Sequence, residues 1–209
     1  MSLWLTRGGK HGEYEQRFLV DGRVYLTWEE VDRDLEPIGD TQELGQLLTE
    51  IYPDAPKGRI TQNTGQIWAF VKKMKIGDWV ALPSKLKPVI HFAEITGPYV
   101  FDPAAENAYR HYHTVKWIET DVPRSNVEQD ILYSLGAFST VCQIKRNDAE
   151  KRVRAMAESG WKKMDSLKIA PRKPDRDGDE DAEVEFDLEL LARDQIAKLI
   201  SAKFTGHRM

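Results

Sequence analysis

Apolar positions recur along this chain with two different periods, and the switches between them lay out the predicted elements. Residues 3–6 (Leu-Trp-Leu-Thr) and 24–28 (Val-Tyr-Leu-Thr-Trp) are short, β-rich runs of strand type. Between them, residues 11–19 place Tyr14, Phe18 and Leu19 on one face at helical spacing. Asp40 or Thr41 is a natural N-cap for a helix through Leu44, Leu47, Leu48 and Ile51, which Pro53 closes. Residues 66–74 predict the next helix, with Ile67, Phe70, Val71 and Met74 at core spacing, followed by a Gly77-Asp78 turn. Strands are predicted at 79–82, 89–95 and 112–118, separated by breaks at Pro83, Pro88, Pro98 and Pro103. A helical turn over 127–135, a closing strand over 138–144 and an alanine-rich helix over 149–161, ended by Ser159-Gly160, complete the pattern. Its sum is an α+β fold, a small mixed β-barrel with surrounding helices.

After residue 168 the pattern changes. Residues 169–187 predict an acidic flexible linker, because a polar, Pro- and Gly-containing stretch cannot recover its ordering entropy by burial. Over 188–209, Leu188, Leu191, Ile196, Leu199, Ile200 and Phe204 recur at helical spacing. The apolar stripe of that helix needs a cover, for which a second copy of the chain, forming a homodimer, is one candidate. The division expected is therefore a domain over 1–168, a linker and a C-terminal helix.

Composition adjusts this picture in two places. With 209 residues, 41% of them hydrophobic and 31% charged, the chain can bury one good core with some length left over. The single cysteine, Cys142, excludes an internal disulfide, no apolar run reaches the roughly 20 residues of a membrane span, and the N-terminus lacks the features of a signal peptide, so a cytoplasmic protein is expected. The net charge of −4 is concentrated: residues 171–187 hold eight carboxylates against three bases, a local −5 that leaves the remainder near +1. A near-neutral body gives little non-specific phosphate binding, so selectivity for a nucleic acid has to come from a pocket.

The stretch from Gln66 through Trp68-Ala69-Phe70-Val71 and Gly77-Asp78-Trp79-Val80-Ala81-Leu82 to Ser84, with Val115-Lys116-Trp117-Ile118 and Asp121-Val122-Pro123-Arg124-Ser125, resembles the PUA-like superfamily and within it the EVE and YTH domains. Over about residues 2–162 it is similar to the N-terminal module of Mrr-like restriction endonucleases. The resemblance implies a PUA/EVE-like barrel that holds a flipped, modified base in an aromatic pocket. In such enzymes a stretch like Phe204-Thr205-Gly206-His207 opens the catalytic domain, so the expectation is a chain that lacks a nuclease core, is not itself an enzyme, and stops where the nuclease would begin.

For a flipped base, a pocket must replace lost stacking with aromatic faces and with hydrogen bonds to the base edge. Trp28 matches the cage tryptophan of YTH domains, while its alternative role is to cover the barrel end. Tyr109 and Tyr112, with Phe101, lie where the second wall would come from, although YTH domains place a tryptophan there. Their base-reading asparagine has no counterpart within residues 1–62. EVE-like modules carry an Arg-Asn pair before the middle helix, matched here by Arg59 and Asn63, with Gln66 beyond. Asn and Gln both donate and accept, which suits a base edge, though Asn63 or Thr64 could equally cap the helix. Arg59, Ser84, Lys85 and Lys87 are candidates for a flanking phosphate, against a reading of the two lysines as solvated.

Lys145, Arg146, Lys151, Arg152 and Arg154 form the densest basic cluster, either a DNA-backbone contact or a solvated face. Trp68, Trp79 and Trp117 have core periodicity. His111 and His113 share a strand face without a third metal ligand at a recognisable spacing, and Asp175 to Asp181 lacks the offsets of a calcium loop. No cofactor and no metal are expected. The reading is a DNA-binding, base-flipping recognition module of a modification-dependent, type IV-like restriction system of cellular defence. The rivals are an RNA-binding PUA-like module and an enzyme acting on a small nucleotide-like ligand.

Overall fold

The computed structural model describes residues 1–137 and 139–162, together with Ile196. Its elements run β1 (Leu3–Thr6), α1 (Glu15–Asp21), β2 (Arg23–Tyr25), α2 (Thr41–Ile51), α3 (Lys57–Trp68), β3 (Trp79–Pro83), β4 (Val89–Phe101), β5 (His111–Pro123), α4 (Gln129–Leu135), β6 (Val141–Gln143) and α5 (Ala149–Glu158). A π-helical turn, Ala69–Lys73, extends α3, and its wider winding is closed by the Met74 amide donating to the Ala69 carbonyl at 3.0 Å. The predicted linker over 169–187 and, Ile196 apart, the helix over 188–209 lie outside the described residues.

All six strands form one mixed sheet in the order β2-β5-β4-β3-β1-β6. The β1–β3 pair is parallel and the others are antiparallel. The α+β class is as the sequence predicts, but the barrel is not closed: β2 and β6 are the two edges of an open sheet. The reason lies in the alternation of side chains. Trp4, Val80, Leu82, Ala93 and Ile95 point into a core with Phe18, Leu44, Leu48, Ile67 and Phe70 from α1, α2, α3 and the π turn. Their strand neighbours Leu3, Leu5, Trp79, Ala81 and Phe92 point into a second core with Ile131, Leu135, Val153 and Met156 from α4 and α5. A sheet covered by helices on both faces buries its apolar side chains without curling onto itself.

Several boundaries differ from those predicted. β2 stops at Tyr25, so Trp28 lies in the turn beyond the strand rather than at its end. β4 and β5 are each 13 residues long, and β4 runs through Pro98 where the pairing register shifts between Ile95 and Tyr99, an irregularity at which a missing N–H is tolerated. The predicted closing strand contracts to the three residues of β6. Helix α3 begins at Lys57 instead of at residue 66. Its first turns (Lys-Gly-Arg-Ile-Thr-Gln-Asn-Thr-Gly) are polar, glycine-containing and partly β-branched, which is weak helix material, and the burial of Ile60, Thr64 and Ile67 holds them in place. Neither Asn63 nor Thr64 is a cap: both lie mid-helix, where the Thr64 hydroxyl donates to the Ile60 carbonyl at 2.8 Å.

Candidate functional site

The lengthened α3 changes where its polar residues point. Arg59 and Asn63 are four residues apart on one helix and therefore share a face, with Gln66 continuing the stripe. That face forms one side of an open cleft of about 310 Å³. The cleft is also lined by the turn after β2, with Thr27, Trp28, Glu29 and Glu30, by Tyr52 at the C-terminal cap of α2 and by Thr140 before β6. Trp28 and Tyr52 are both partly buried, each packed against the first core while remaining open to the cleft.

Each wall is held by hydrogen bonds from behind. The 28–31 turn is closed by the Val31 amide donating to the Trp28 carbonyl at 3.1 Å. It is pinned to β5 because His111 Nε2–H donates to the Val31 carbonyl at 2.8 Å and the Leu26 amide donates to the His111 carbonyl at 3.0 Å. Tyr99 donates its hydroxyl to His111 Nδ1 at 2.7 Å, which assigns the proton of the neutral ring to Nε2. Burial pushes the His111 pKa below its ordinary value, against the opposing effect of the Val31 hydrogen bond, and this favours the same neutral form. On the far wall, Gln66 Oε1 accepts from the amides of Thr140 at 2.7 Å and Val141 at 3.1 Å. Two N–H donors facing one atom identify it as the oxygen.

The electrostatics of the cleft are mixed. Glu29 and Glu30 contribute carboxylates and Arg59 a guanidinium. Tyr52 donates to Glu30 Oε2 at 2.8 Å. Burial raises the Tyr52 pKa, the Glu30 carboxylate adds to the rise, and the Arg59 charge works the other way. Tyr14 donates to Glu29, and that bond, with burial, pushes its pKa up to about 12. Both tyrosines therefore remain protonated donors at neutral pH.

Of the residues singled out in the sequence, Trp28, Arg59 and Asn63 line this cleft and Gln66 braces it. Tyr109 and Tyr112 do not line it. They belong to a neighbouring aromatic cluster around Tyr25, whose ring lies 5.1 Å from that of Tyr109 and 5.9 Å from that of Tyr112. Arg23 stacks over Tyr112 at 4.0 Å and Arg17 over Tyr109 at 5.1 Å. Phe101 packs against His111 instead, with ring centroids 5.0 Å apart.

Ser84, Lys85 and Lys87 lie in the β3–β4 turn, organised around the buried Glu15. Ser84 donates to Glu15 Oε1 at 2.7 Å and accepts from the amides of Leu86 and Lys87, the Lys85 amide donates to Glu15 Oε2 at 3.2 Å, and Lys87 Nζ pairs with Asp121 at 3.3 Å. His91 Nδ1 accepts from the Asp121 amide at 3.0 Å, so its Nε2–H donates to Glu15. Burial alone would raise the Glu15 pKa, but the hydrogen bonds from His91 and Ser84 outweigh it and hold the carboxyl below its usual range.

Most of the remaining candidates are engaged within the fold. In the basic cluster, Arg152 binds Asp130 through two nitrogens and also pairs with Glu128, while Arg154 pairs with Glu150 and stacks over the buried Trp79. Lys145, Arg146 and Lys151 are exposed. Trp68 and Trp117 pack against the first core. Cys142 is a half-buried free thiol whose pKa burial pushes up to about 11. His113 faces the carbonyls of Phe70 at 2.8 Å and Gly97 at 3.1 Å, and in the neutral form that burial favours it donates to one of the two.

Sequence reasoning missed Tyr52, Thr140, Glu29 and Glu30. The Glu-Glu pair next to Trp28 was the one visible signal, since Tyr52 reads only as the end of a helix and Thr140 as the start of a strand.

What fold and site define together is a single-sheet α+β module with a small polar-aromatic cleft at one end of its middle helices. Residues 3–144 match the model of a family described as a domain of unknown function, DUF8426, and the chain belongs to that family. No curated protein matches it. Among the described residues, no helix is long and apolar enough to cross a membrane.

Proposed function

We propose that this chain is the DNA-recognition module of a Mrr-like, modification-dependent restriction endonuclease, related to PUA/EVE-like domains, and that its cleft holds an extruded modified base. The observation that carries the reading is that Trp28 and the α3 pair Arg59 and Asn63, distant from it in sequence, line one cleft. Trp28 and Tyr52 offer the aromatic faces that replace lost stacking, Asn63 offers an amide to the base edge, and Arg59 at the exposed rim suits the flanking phosphate. A volume of about 310 Å³ is at the small end of ligand sites, which suits one base rather than a larger ligand. The role assigned to this chain is binding, and no step of DNA cleavage is assigned to its described residues.

The test is gel-shift binding to matched duplexes carrying unmodified cytosine, methylcytosine, hydroxymethylcytosine or methyladenine, with the parent chain and with Trp28→Ala. A modified duplex should bind best, and the variant should lose about 1–3 kcal/mol of that affinity, the worth of one base–aromatic stack. A folded variant that binds as tightly as the parent refutes the cleft as the base site. Preference for an oligoribonucleotide of the same sequence would make the chain an RNA-binding PUA-like module instead.

A further inference from the structure

The two carboxylates of the cleft carry information about its ligand that the aromatic residues do not. A carboxylate offers acceptors only, so whatever approaches it must donate. The two differ in how they are held. Glu29 accepts from Tyr14, which belongs to the tyrosine cluster outside the cleft and draws that carboxylate towards it. Glu30 accepts from Tyr52, itself a cleft residue, so its carboxylate stands beside one of the aromatic walls. Tyr52 engages Oε2 and leaves Oε1 for a ligand that lies against the ring.

Among the bases, an exocyclic amine is the simplest donor to such a group. Adenine and cytosine present one at N6 or N4, a group that Asp and Glu read in other settings, and guanine presents one at N2, whereas the one donor of thymine, N3–H, lies between the carbonyls O2 and O4. A carboxylate that approaches thymine therefore faces further acceptors with no proton between them. Resting on the base-pocket reading above, we infer that the cleft selects a base whose exocyclic amine retains at least one N–H, of adenine, cytosine or guanine type and not of thymine type, with Glu30 as the residue that reads it. A single N-methyl group on that amine is compatible with the contact. Two are not, because they remove every donor. Arg59 also lines the cleft and its charge reaches Tyr52, the partner of Glu30; being a donor only, it is left for a phosphate or a ring carbonyl of the same ligand.

The experiment uses the whole chain and labelled duplexes in which one central base stands opposite an abasic site, so that unpairing costs are small and similar. The bases are adenine, N6-methyladenine, N6,N6-dimethyladenine, cytosine, guanine and thymine. The tightest-bound of the bases that keep an exocyclic N–H should bind at least about tenfold more tightly than both the dimethyl base and thymine, the scale of one hydrogen bond to a charged group. Glu30→Gln, an exposed substitution whose amide can turn either a donor or an acceptor to the base, should compress that ratio to within about threefold. Parent affinity for thymine or the dimethyl base equal to that for the best base with an exocyclic N–H, with Trp28→Ala still weakening all of them, overturns the donor rule and leaves the base pocket standing. A parent preference that persists undiminished in Glu30→Gln overturns the assignment to Glu30. Binding of every duplex that is indifferent to Trp28→Ala overturns the base-pocket reading and the donor rule with it.

Discussion

His111 Nε2 lies 2.8 Å from the carbonyl oxygen of Val31, and through that bond a central strand holds the turn that carries Trp28, Glu29 and Glu30 into the cleft. His111 is fully buried and its other nitrogen receives the Tyr99 hydroxyl, so one side chain joins β5, the long β4 strand and the turn after β2. His111→Ala should leave the Val31 carbonyl and the Tyr99 hydroxyl without this partner and cost about 1–3 kcal/mol per group so stranded. Urea denaturation measures that loss. A folded His111→Ala variant should also bind any cleft ligand more weakly than the parent, because the turn loses its anchor. His111→Gln, which keeps a donor, should recover part of both effects. Unchanged stability would show that the Val31 contact is not formed in solution.

The same residue gives the fold a predictable response to acid. Burial lowers the pKa of both His111 and His113 in the folded chain, while unfolding returns each to about 6.5. Below that value the unfolded chain takes up protons that the folded chain refuses, so mild acid favours unfolding. The stabilisation is therefore complete above about pH 6.5 and declines as pH falls from there towards the lowered folded-state values. Denaturation midpoints taken at intervals from about pH 7.5 to about pH 5.5 should decrease, and in His111→Gln they should decrease less. Midpoints independent of pH in that window would contradict the buried neutral assignment. The carboxylates held low by their partners, Glu15, Asp21 and Asp130, respond in the opposite range, losing their contribution only as the pH drops below about 4.

Gln66 has a role that its sequence position does not announce. Its Oε1 accepts two amide protons at the entry to β6, so it fixes the Thr140 wall of the cleft and the edge strand together. Gln66→Ala should strand both donors and destabilise the chain by about 1–3 kcal/mol, with faster amide exchange at Thr140 and Val141. Gln66→Glu presents only acceptors and should retain most of the stability, since both partners donate. If the alanine and glutamate variants are equally destabilised, packing rather than the acceptor explains the effect.

How far the sequence revealed this molecule varies with how each element is stabilised. β3 was legible because every residue from Trp79 to Pro83 is buried, which produces a continuous apolar run between a Gly-Asp turn and a proline. α2 was legible down to its cap, where the Asp40 side chain accepts from the amides of Gln42 and Glu43 at 2.8 Å. The first half of α3 was not, because tertiary burial of a few residues rather than local propensity makes it helical, and with it went the shared face of Arg59 and Asn63. Sheet closure was equally hidden. Strand patterns identify buried faces but not whether a sheet curls or is covered by helices, and here the helices cover it. Tyr52 joins the cleft through the packing of α2 beside α3, a relationship no linear pattern carries.

Asp78 sits at the start of β3 with both carboxylate oxygens used by donors: Oδ1 accepts from the Ser2 amide at 2.8 Å, and Oδ2 from the Trp4 indole at 2.9 Å and the Lys75 amide at 3.2 Å. It is 6% exposed, so these bonds replace water almost completely and tie the first strand of the chain to the central one. Asp78→Ala should cost at least about 3 kcal/mol, since three donors lose a charged acceptor in a nearly dry site. Asp78→Asn should recover little of this despite its matching shape, because whichever way the amide turns, its NH₂ group meets another N–H. Chemical denaturation of the two variants separates these terms. A full rescue by asparagine would mean that shape, and not the all-acceptor character of the carboxylate, is what this position requires.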